Sequence, residues 1–222
     1  AQTSFRVPDG SIAFWQERLG SGDVSQDEDG RASLAFSDFE GQQLELVEAG
    51  RHPGGGTPWT KDVPEEYAIR GILGVTLHSA RPESTARVLQ EILGYTRTSY
   101  LDFTTEDESA FARIRLNSDS ALMGRLGAGG VHHVAFRVAD DDELLRLQEK
   151  AERMGIATSG YVDRFYFHSL YFREPGGILF ELATDGPGFA SDESMESLGE
   201  KLALPPFLEP HRERIEAGLK PI

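Results

Sequence analysis

The chain has 222 residues, 39% of them hydrophobic, and a formal net charge of -15 at pH 7. This length can bury one large core or two small ones, and the negative charge argues against nucleic acid as a partner, because phosphate binding needs the opposite sign. The chain has no cysteine, which excludes disulfides and thiolate metal sites, so any metal must be held by His, Asp or Glu.

The sequence also lacks the signals of membrane proteins. No run approaches the roughly 18 to 20 apolar residues of a membrane span, and the N-terminus does not resemble a signal peptide. We therefore expect a soluble, cytoplasmic protein without a membrane partner. Nitrogen and oxygen donors alone would favour iron, manganese or zinc as a bound metal.

The first 50 residues predict a β-α-β-β-β unit. Gln2 to Val7 alternates as a strand does, and Ser11 is a suitable N-cap for a short amphipathic helix over 12–19. Three strand candidates follow, at 23–26, 31–37 and 43–48. A linker over 51–68, which is rich in glycine and proline, separates this unit from the next.

The same order of elements is predicted twice more. Residues 69–127 contain a strand at 71–79, a helix that opens at Pro82 and ends near Ile92, and strands at 96–102, 110–115 and 121–126. Residues 130–184 contain a strand at 131–138, a helix from Asp141 to about Met154, and strands near 161, at 167–173 and at 178–183. This internal repeat of roughly 50 to 60 residues is the strongest organisational signal in the chain.

The C-terminal tail, residues 185–222, does not fit the repeat. Short helices are predicted at 194–202 and 210–219. Four apolar residues give the tail enough hydrophobic surface to dock, so we expect it to cover the last repeat: Phe189, Leu204, Phe207 and Leu208.

The third unit carries the residues with metal-binding chemistry. His132 and His133 stand at the head of its first strand, and Glu181 lies inside the apolar strand that closes it. A histidine pair at a strand start is more often structural, but an unpaired carboxylate among Phe180 and Leu182 would be costly and needs a cation or a proton. One imidazole and one carboxylate would make most of a metal site, although a 2-His-1-carboxylate triad needs a third ligand.

Three β-α-β-β-β units resemble the vicinal-oxygen-chelate superfamily, in which paired units form a cup around a metal. The closest resemblance is to its ring-cleaving dioxygenases of the hydroquinone type, often labelled glyoxalase or bleomycin-resistance proteins. The specific matches are the motifs at 131–136, 163–177 and 180–189. The resemblance implies an α+β fold of tandem βαβββ modules that form half-barrel cups.

Carried over residue by residue, the resemblance implies that His133 and Glu181 are Fe(II) ligands, with Mn(II) as the alternative metal. His132, Arg164 and Tyr171 would contact the substrate or orient the ligands. A guanidinium beside the metal would favour an ionised phenol oxygen, and a phenol or imidazole could shuttle its proton.

The third ligand is not found in this chain. In the family it is a His on the first strand of the first of four repeats, and this chain reads as beginning at the second repeat. The stretch from Gln2 to Phe5 offers no His, and Gly74 stands where the middle repeat would have one. The third repeat is therefore expected to face a missing segment or another chain, or to leave its sheet partly exposed, and we expect a homo-oligomer.

These residues favour Fe(II)-dependent, extradiol-type cleavage of a small aromatic substrate by O2. One alternative is a metal-free protein that binds small molecules, as bleomycin-resistance proteins do. Another is a glyoxalase-type lyase or isomerase, which would normally want two carboxylates and two His around its metal.

The remaining histidines are weaker candidates. His78 shares a strand face with Gly74 and could reach the cup of the first two units, although a capped surface position is the plainer reading. His168 is expected to be structural or at the rim of the site, and His52 and His211 carry no signal.

Overall fold

The computed structural model describes residues 1–27, 30–50, 57–107, 109–116 and 127–220, which form twelve β-strands and four α-helices. The first unit comprises β1 (Gln2–Val7), α1 (Ile12–Leu19), β2 (Asp23–Gln26), β3 (Ala32–Ser37) and β4 (Gln43–Glu48). The second comprises β5 (Ile72–Ser79), α2 (Pro82–Glu91), β6 (Thr96–Arg97), β7 (Asp102–Thr104) and β8 (Phe111–Leu116). The third comprises β9 (Val134–Val138), α3 (Asp141–Arg153), β10 (Val162–Asp163), β11 (Phe167–Arg173) and β12 (Leu179–Pro187), and α4 (Arg212–Gly218) lies in the tail. The fold is thus of the mixed α+β class.

The strands form two sheets. The first has eight strands in the order β2-β3-β4-β1-β5-β8-β7-β6, and it joins the first two units because β1 pairs antiparallel with β5. The third unit forms a separate four-stranded sheet in the order β10-β11-β12-β9. In the described residues, β9 pairs only with β12 and leaves its other edge open, whereas the matching first strands of the other two units pair with each other.

The helices of the second and third units pack on a shared core. Leu89 and Phe103 of the second unit belong to the same buried cluster as Leu144, Phe172 and Phe180 of the third. The first unit has a core of its own around α1, in which Trp15 donates its indole N–H to the backbone carbonyl of Tyr67 at 2.7 Å. Phe172 and Phe180 thus lie on the face of the four-stranded sheet that packs on the shared core, and the alternate residues of β11 and β12 lie on its other face.

A buried glutamate fastens the third unit to the second. Glu174, 2% exposed, lies in the turn between β11 and β12 and accepts hydrogen bonds from Thr85 Oγ1 at 2.8 Å and from the N–H groups of Gly176 at 2.8 Å and Ile178 at 2.9 Å. A side chain on Gly176 would overlap Ser79 Oγ, which explains why this turn needs glycine. The motif from Glu174 to Gly177 is thus a docking turn, separate from the residues with metal-binding chemistry.

We expect Glu174→Ala to lower the free energy of unfolding by about 3 kcal/mol, because it leaves buried donors without an acceptor. Chemical denaturation followed by circular dichroism measures this loss. Glu91→Ala is the matched control, since Glu91 makes only an exposed ion pair with Arg87 and its removal should cost less than about 0.5 kcal/mol. Equal losses in the two variants would contradict the docking role of Glu174.

Two strand predictions are wrong in detail. The strand predicted at 96–102 is interrupted, because Thr98 N–H and Ser99 Oγ both bond to Asp102, at 2.9 and 2.6 Å, and form a local turn. The strand predicted at 131–138 begins only at Val134, opposite Phe180, because the partner strand β12 starts at Leu179. The strand predicted at 121–126 lies outside the described residues.

The tail also departs from its prediction. Only Met195–Ser197 forms a single 3-10 turn where a helix was expected over 194–202, and Gly199 follows with a φ of 79° that a helix cannot continue. Of the four apolar residues that were expected to dock, Phe189 and Phe207 are 66% and 72% exposed, whereas Leu204 and Leu208 are partly buried. No helix in the described ranges is both long and apolar enough to cross a membrane.

Candidate metal and substrate site

His133 and Glu181 meet on the face of the four-stranded sheet that is turned away from the shared core. The parallel register of β9 and β12 sets Glu181 opposite Ala135, two residues after His133, so that the imidazole and the carboxylate project on the same side. His133 Nε2 lies 2.8 Å from Glu181 Oε2. The sheet register thus joins two residues that are 48 positions apart in sequence.

The surroundings of Glu181 fit a bound cation. Its side chain is only 5% exposed, yet its second oxygen, Oε1, has no hydrogen-bond partner. A buried carboxylate oxygen without a donor is costly, and a metal ion would satisfy it. The 2.8 Å between His133 Nε2 and Glu181 Oε2 is an ordinary hydrogen-bond distance, so the unpartnered Oε1 is the observation that points to a cation.

His132 lies beside His133 rather than beside the carboxylate. The Nδ1 atoms of the two rings are 2.8 Å apart, and the rings are nearly perpendicular. A metal-binding His usually donates its other ring N–H to a neighbouring acceptor, which fixes the ring and directs the free lone pair at the ion. His132 can accept that proton from His133 Nδ1, which leaves Nε2 for the ion.

Tyr171 and Arg164 border the same position. Tyr171 lies opposite Glu181 in the register of β11 and β12, and its ring is perpendicular to that of His133, with 5.6 Å between the ring centroids. Arg164 holds its guanidinium carbon 5.4 Å from the centroid of the Tyr171 ring. The structure therefore brings together all five residues chosen from the sequence.

Burial, reinforced by the hydrogen bond and negative charge of Glu181, raises the pKa of Tyr171 above its ordinary value, although the Arg164 cation opposes the shift. A phenol with a raised pKa keeps its proton at neutral pH. Tyr171 is therefore a hydrogen-bond donor at this site, and Arg164 supplies the positive charge.

Sequence reasoning missed Ser169. It precedes Tyr171 by two residues on β11 and so shares its face, it is fully buried, and its hydroxyl has no partner among the described residues. The alternation of the strand could have revealed it, because Ser169, Tyr171 and Arg173 are the polar residues of one face. Ser169 adds a second unpartnered polar group to the face that carries Glu181.

The first unit has different residues at the matching positions. Phe5-Arg6-Val7 corresponds to Phe136-Arg137-Val138 at the strand ends, which aligns Gln2 with His133 and Ser4 with Ala135. The residue opposite Ser4 on β4 is Glu45, the counterpart of Glu181, and it accepts a hydrogen bond from Ser4 Oγ at 2.6 Å. The carboxylate is thus retained, but glutamine replaces the imidazole.

The second unit retains neither ligand. Both β5 and β9 end three residues before their helices begin, which aligns Gly74 with His133 and Thr76 with Ala135. Arg113 pairs with Thr76, as Glu181 pairs with Ala135, so Arg113 is the counterpart of Glu181. A Cβ at Gly74 would lie 2.6 Å from the ring and carbonyl of Phe111, so no histidine fits there. At these four positions the eight-stranded sheet therefore offers one carboxylate, Glu45, and no imidazole.

The other histidines lie elsewhere. His168 points to the opposite face, where Nδ1 lies 2.7 Å from Asp141 Oδ1. His78 lies on β5, where burial, more than the nearby positive charges that include Arg115, lowers its pKa. His211 lies in a short turn of the tail, and His52 is outside the described residues.

We expect Glu181→Leu to stabilise the metal-free chain while removing its response to iron. A leucine needs no partner in this apolar strand, and replacing a buried ionic group by an apolar one can add about 1 kcal/mol or more. Thermal unfolding with and without Fe(II) under anaerobic conditions measures both effects. A lower melting temperature for metal-free Glu181→Leu than for the unsubstituted chain would show that the carboxylate is structural.

Comparisons with known proteins show which family the chain resembles. The family model described as the Glyoxalase/Bleomycin resistance protein/Dioxygenase superfamily matches residues 6–182. A Bacillus subtilis (strain 168) protein, provisionally named ring-cleaving dioxygenase MhqA, is 42% identical over 96% of this chain and 72% of its own length. The chlorohydroquinone/hydroquinone 1,2-dioxygenase of Sphingobium indicum is 31% identical over 93% of this chain and 68% of its own length.

A solved structure shows the same fold. The crystal structure of a provisionally assigned dioxygenase from Bacillus subtilis subsp. subtilis str. 168 superposes with a TM-score of 0.88 at 40% identity. The match covers 99% of this chain and 73% of that one.

Proposed function

The chain belongs to the glyoxalase/bleomycin resistance protein/dioxygenase superfamily, and from this membership we propose that it is an Fe(II)-dependent, extradiol-type ring-cleaving dioxygenase. Its substrate is a hydroquinone or a catechol-like aromatic, together with O2. The observation that carries the proposal is the contact of His133 with the buried, half-partnered carboxylate of Glu181, bordered by Tyr171 and Arg164.

His133 Nε2 and Glu181 would hold the metal ion, and His132 would fix the ring of His133. A ferrous ion held by few protein ligands supplies an open-sided redox centre for an aromatic diol and O2. Mn(II) is the alternative metal for the same donors. The remaining protein ligand would come from a further module, in the same polypeptide or a second copy, that pairs along the open edge of β9 as β5 pairs along β1.

Arg164 and Tyr171 would act on the substrate. The guanidinium of Arg164 lowers the cost of ionising a ring hydroxyl, because an adjacent cation stabilises the phenolate. Tyr171 keeps its own proton and donates a hydrogen bond to a substrate oxygen, and it lies close enough to Glu181 to respond to charge at the metal position. These two residues orient the ring and control its proton, which general acid-base catalysis requires.

The test is oxygen uptake with hydroquinone and with catechol after anaerobic reconstitution with Fe(II), with bound iron measured by elemental analysis. Oxygen uptake that tracks bound iron and yields a ring-opened product supports the proposal. Tight binding of an aromatic without iron and without oxygen uptake would instead favour a metal-free small-molecule binding protein. Size-exclusion chromatography of the iron-loaded sample shows whether a second copy is needed.

A glyoxalase-type lyase or isomerase fits the residues less well. Such a site would want two carboxylates and two His. The four-stranded sheet brings one of each together, and the matching positions of the eight-stranded sheet hold Gln2, Glu45, Gly74 and Arg113. Turnover of a glutathione hemithioacetal by the metal-loaded chain, with no oxygen uptake, would reverse this preference.

A further inference from the structure

Phe165 has an unusual backbone conformation beside the candidate site. Its φ is 71°, and it is the one residue other than glycine with a positive φ in the described part of the chain. Bulky side chains rarely adopt this left-handed region, because the Cβ atom crowds the following carbonyl oxygen. Such a conformation costs free energy, so the surrounding contacts must enforce it, and strained residues of this kind cluster at functional sites.

The strained residue belongs to the turn that carries Arg164. Asp163 Oδ1 accepts a hydrogen bond from the N–H of Phe165 at 2.7 Å, and the N–H of Arg164 donates to the carbonyl of Phe167 at 2.9 Å. Arg164 and Phe167 therefore close the turn between β10 and β11, and Phe165, at its tip, sets by its φ the direction of the chain next to Arg164. A different φ would turn Arg164 relative to the strand that carries Tyr171.

The ring of Phe165 packs on Tyr166, which the tail holds in place. It packs edge-on against Tyr166, with the ring centroids 4.9 Å apart. Three contacts from the tail hold Tyr166. The Tyr166 hydroxyl lies 2.8 Å from Asp192 Oδ2, and the Tyr166 carbonyl accepts a hydrogen bond from Gly188 N–H at 2.7 Å. The centroids of the Tyr166 and Phe189 rings are 5.4 Å apart. A chain of contacts thus runs from the tail to the turn.

We propose that Phe165 is a positioning residue for Arg164. Its ring, packed on the tail-braced Tyr166, holds the backbone in the left-handed region, and this conformation keeps the guanidinium over the Tyr171 ring. This role rests on the proposed function in one respect, the aromatic substrate that Arg164 would contact. The positioning itself is a property of this chain's own residues and can be measured without turnover.

The experiment follows the environment of the Tyr171 ring by fluorine NMR. All six tyrosines are replaced by 3-fluorotyrosine, and the Tyr171 resonance is assigned by its absence in Tyr171→Phe. Arg164→Ala gives the chemical shift without the guanidinium. The test variants are Phe165→Ala and Phe165→Asn, both of which remove the ring, while only asparagine tolerates the left-handed region well.

Phe165→Ala should move the Tyr171 resonance most of the way to its position in Arg164→Ala, and Phe165→Asn should leave it near that of the unsubstituted chain. An unmoved resonance in Phe165→Ala would overturn the proposal, and so would an equal displacement in both variants, which would assign the effect to the ring alone. If the unsubstituted chain turns over no aromatic, the proposed function fails, but the fluorine comparison still decides the role of Phe165.

Discussion

Replacing Glu181 by glutamine is expected to lower iron affinity more than about 100-fold and to reduce oxygen uptake to the background rate, since even outer groups of metal sites are worth about 10- to 100-fold. Glutamine nearly preserves the shape of the side chain but removes the negative charge that the buried Glu181 carboxylate offers to a metal ion. Anaerobic titration with Fe(II), followed by elemental analysis and an oxygen electrode, measures both losses.

The matched control is Glu149→Gln, the same substitution on the exposed surface of α3, where Glu149 only pairs with Arg153. It should leave iron content and oxygen uptake unchanged. His133→Ala should reproduce the effect of Glu181→Gln, because each removes one of two donors that lie 2.8 Å apart. Retention of iron in both site variants would place the metal elsewhere and would contradict the proposed site.

The sequence predicts which segments near the site are strands better than it predicts how those strands pair. The alternation around Glu181 and the repeat of β-α-β-β-β elements are local signals, and β1, α1 and β11 have the bounds expected. The parallel pairing of β9 with β12 is long-range, and no local pattern states that Glu181 lies opposite Ala135. The start of β9 was misplaced for the same reason, since a strand begins where its partner begins.

Two further features depend on contacts that sequence patterns do not encode. The buried Glu174 depends in part on Thr85, a hydrogen-bond donor that is 89 positions away. The left-handed Phe165 follows from the packing of its ring on Tyr166, whereas sequence rules would assign such a conformation to glycine or asparagine. Sequence reasoning therefore selected Arg164 but could not say how it is held.

Replacing Tyr171 by phenylalanine should lower kcat for hydroquinone by about 100-fold, the lower end of what one hydrogen-bond donor to a developing negative charge contributes. The ring remains, so its edge contact with His133 and the overlying Arg164 guanidinium should survive, and substrate affinity should change only slightly. The pKa of Tyr171 is raised by burial and by Glu181. In the metal-free chain the hydroxyl therefore stays protonated, and able to donate, across neutral pH.

Steady-state oxygen uptake at saturating and limiting substrate separates kcat from KM. Tyr161→Phe is the control, because its hydroxyl faces Asp141 near the start of α3 and should not affect the reaction. Arg164→Lys completes the comparison: it keeps the charge but loses the planar guanidinium, so it should raise KM more than it lowers kcat. Unchanged kcat in Tyr171→Phe with iron fully bound would remove Tyr171 from the chemistry and leave Arg164 as the group that controls ionisation of the substrate.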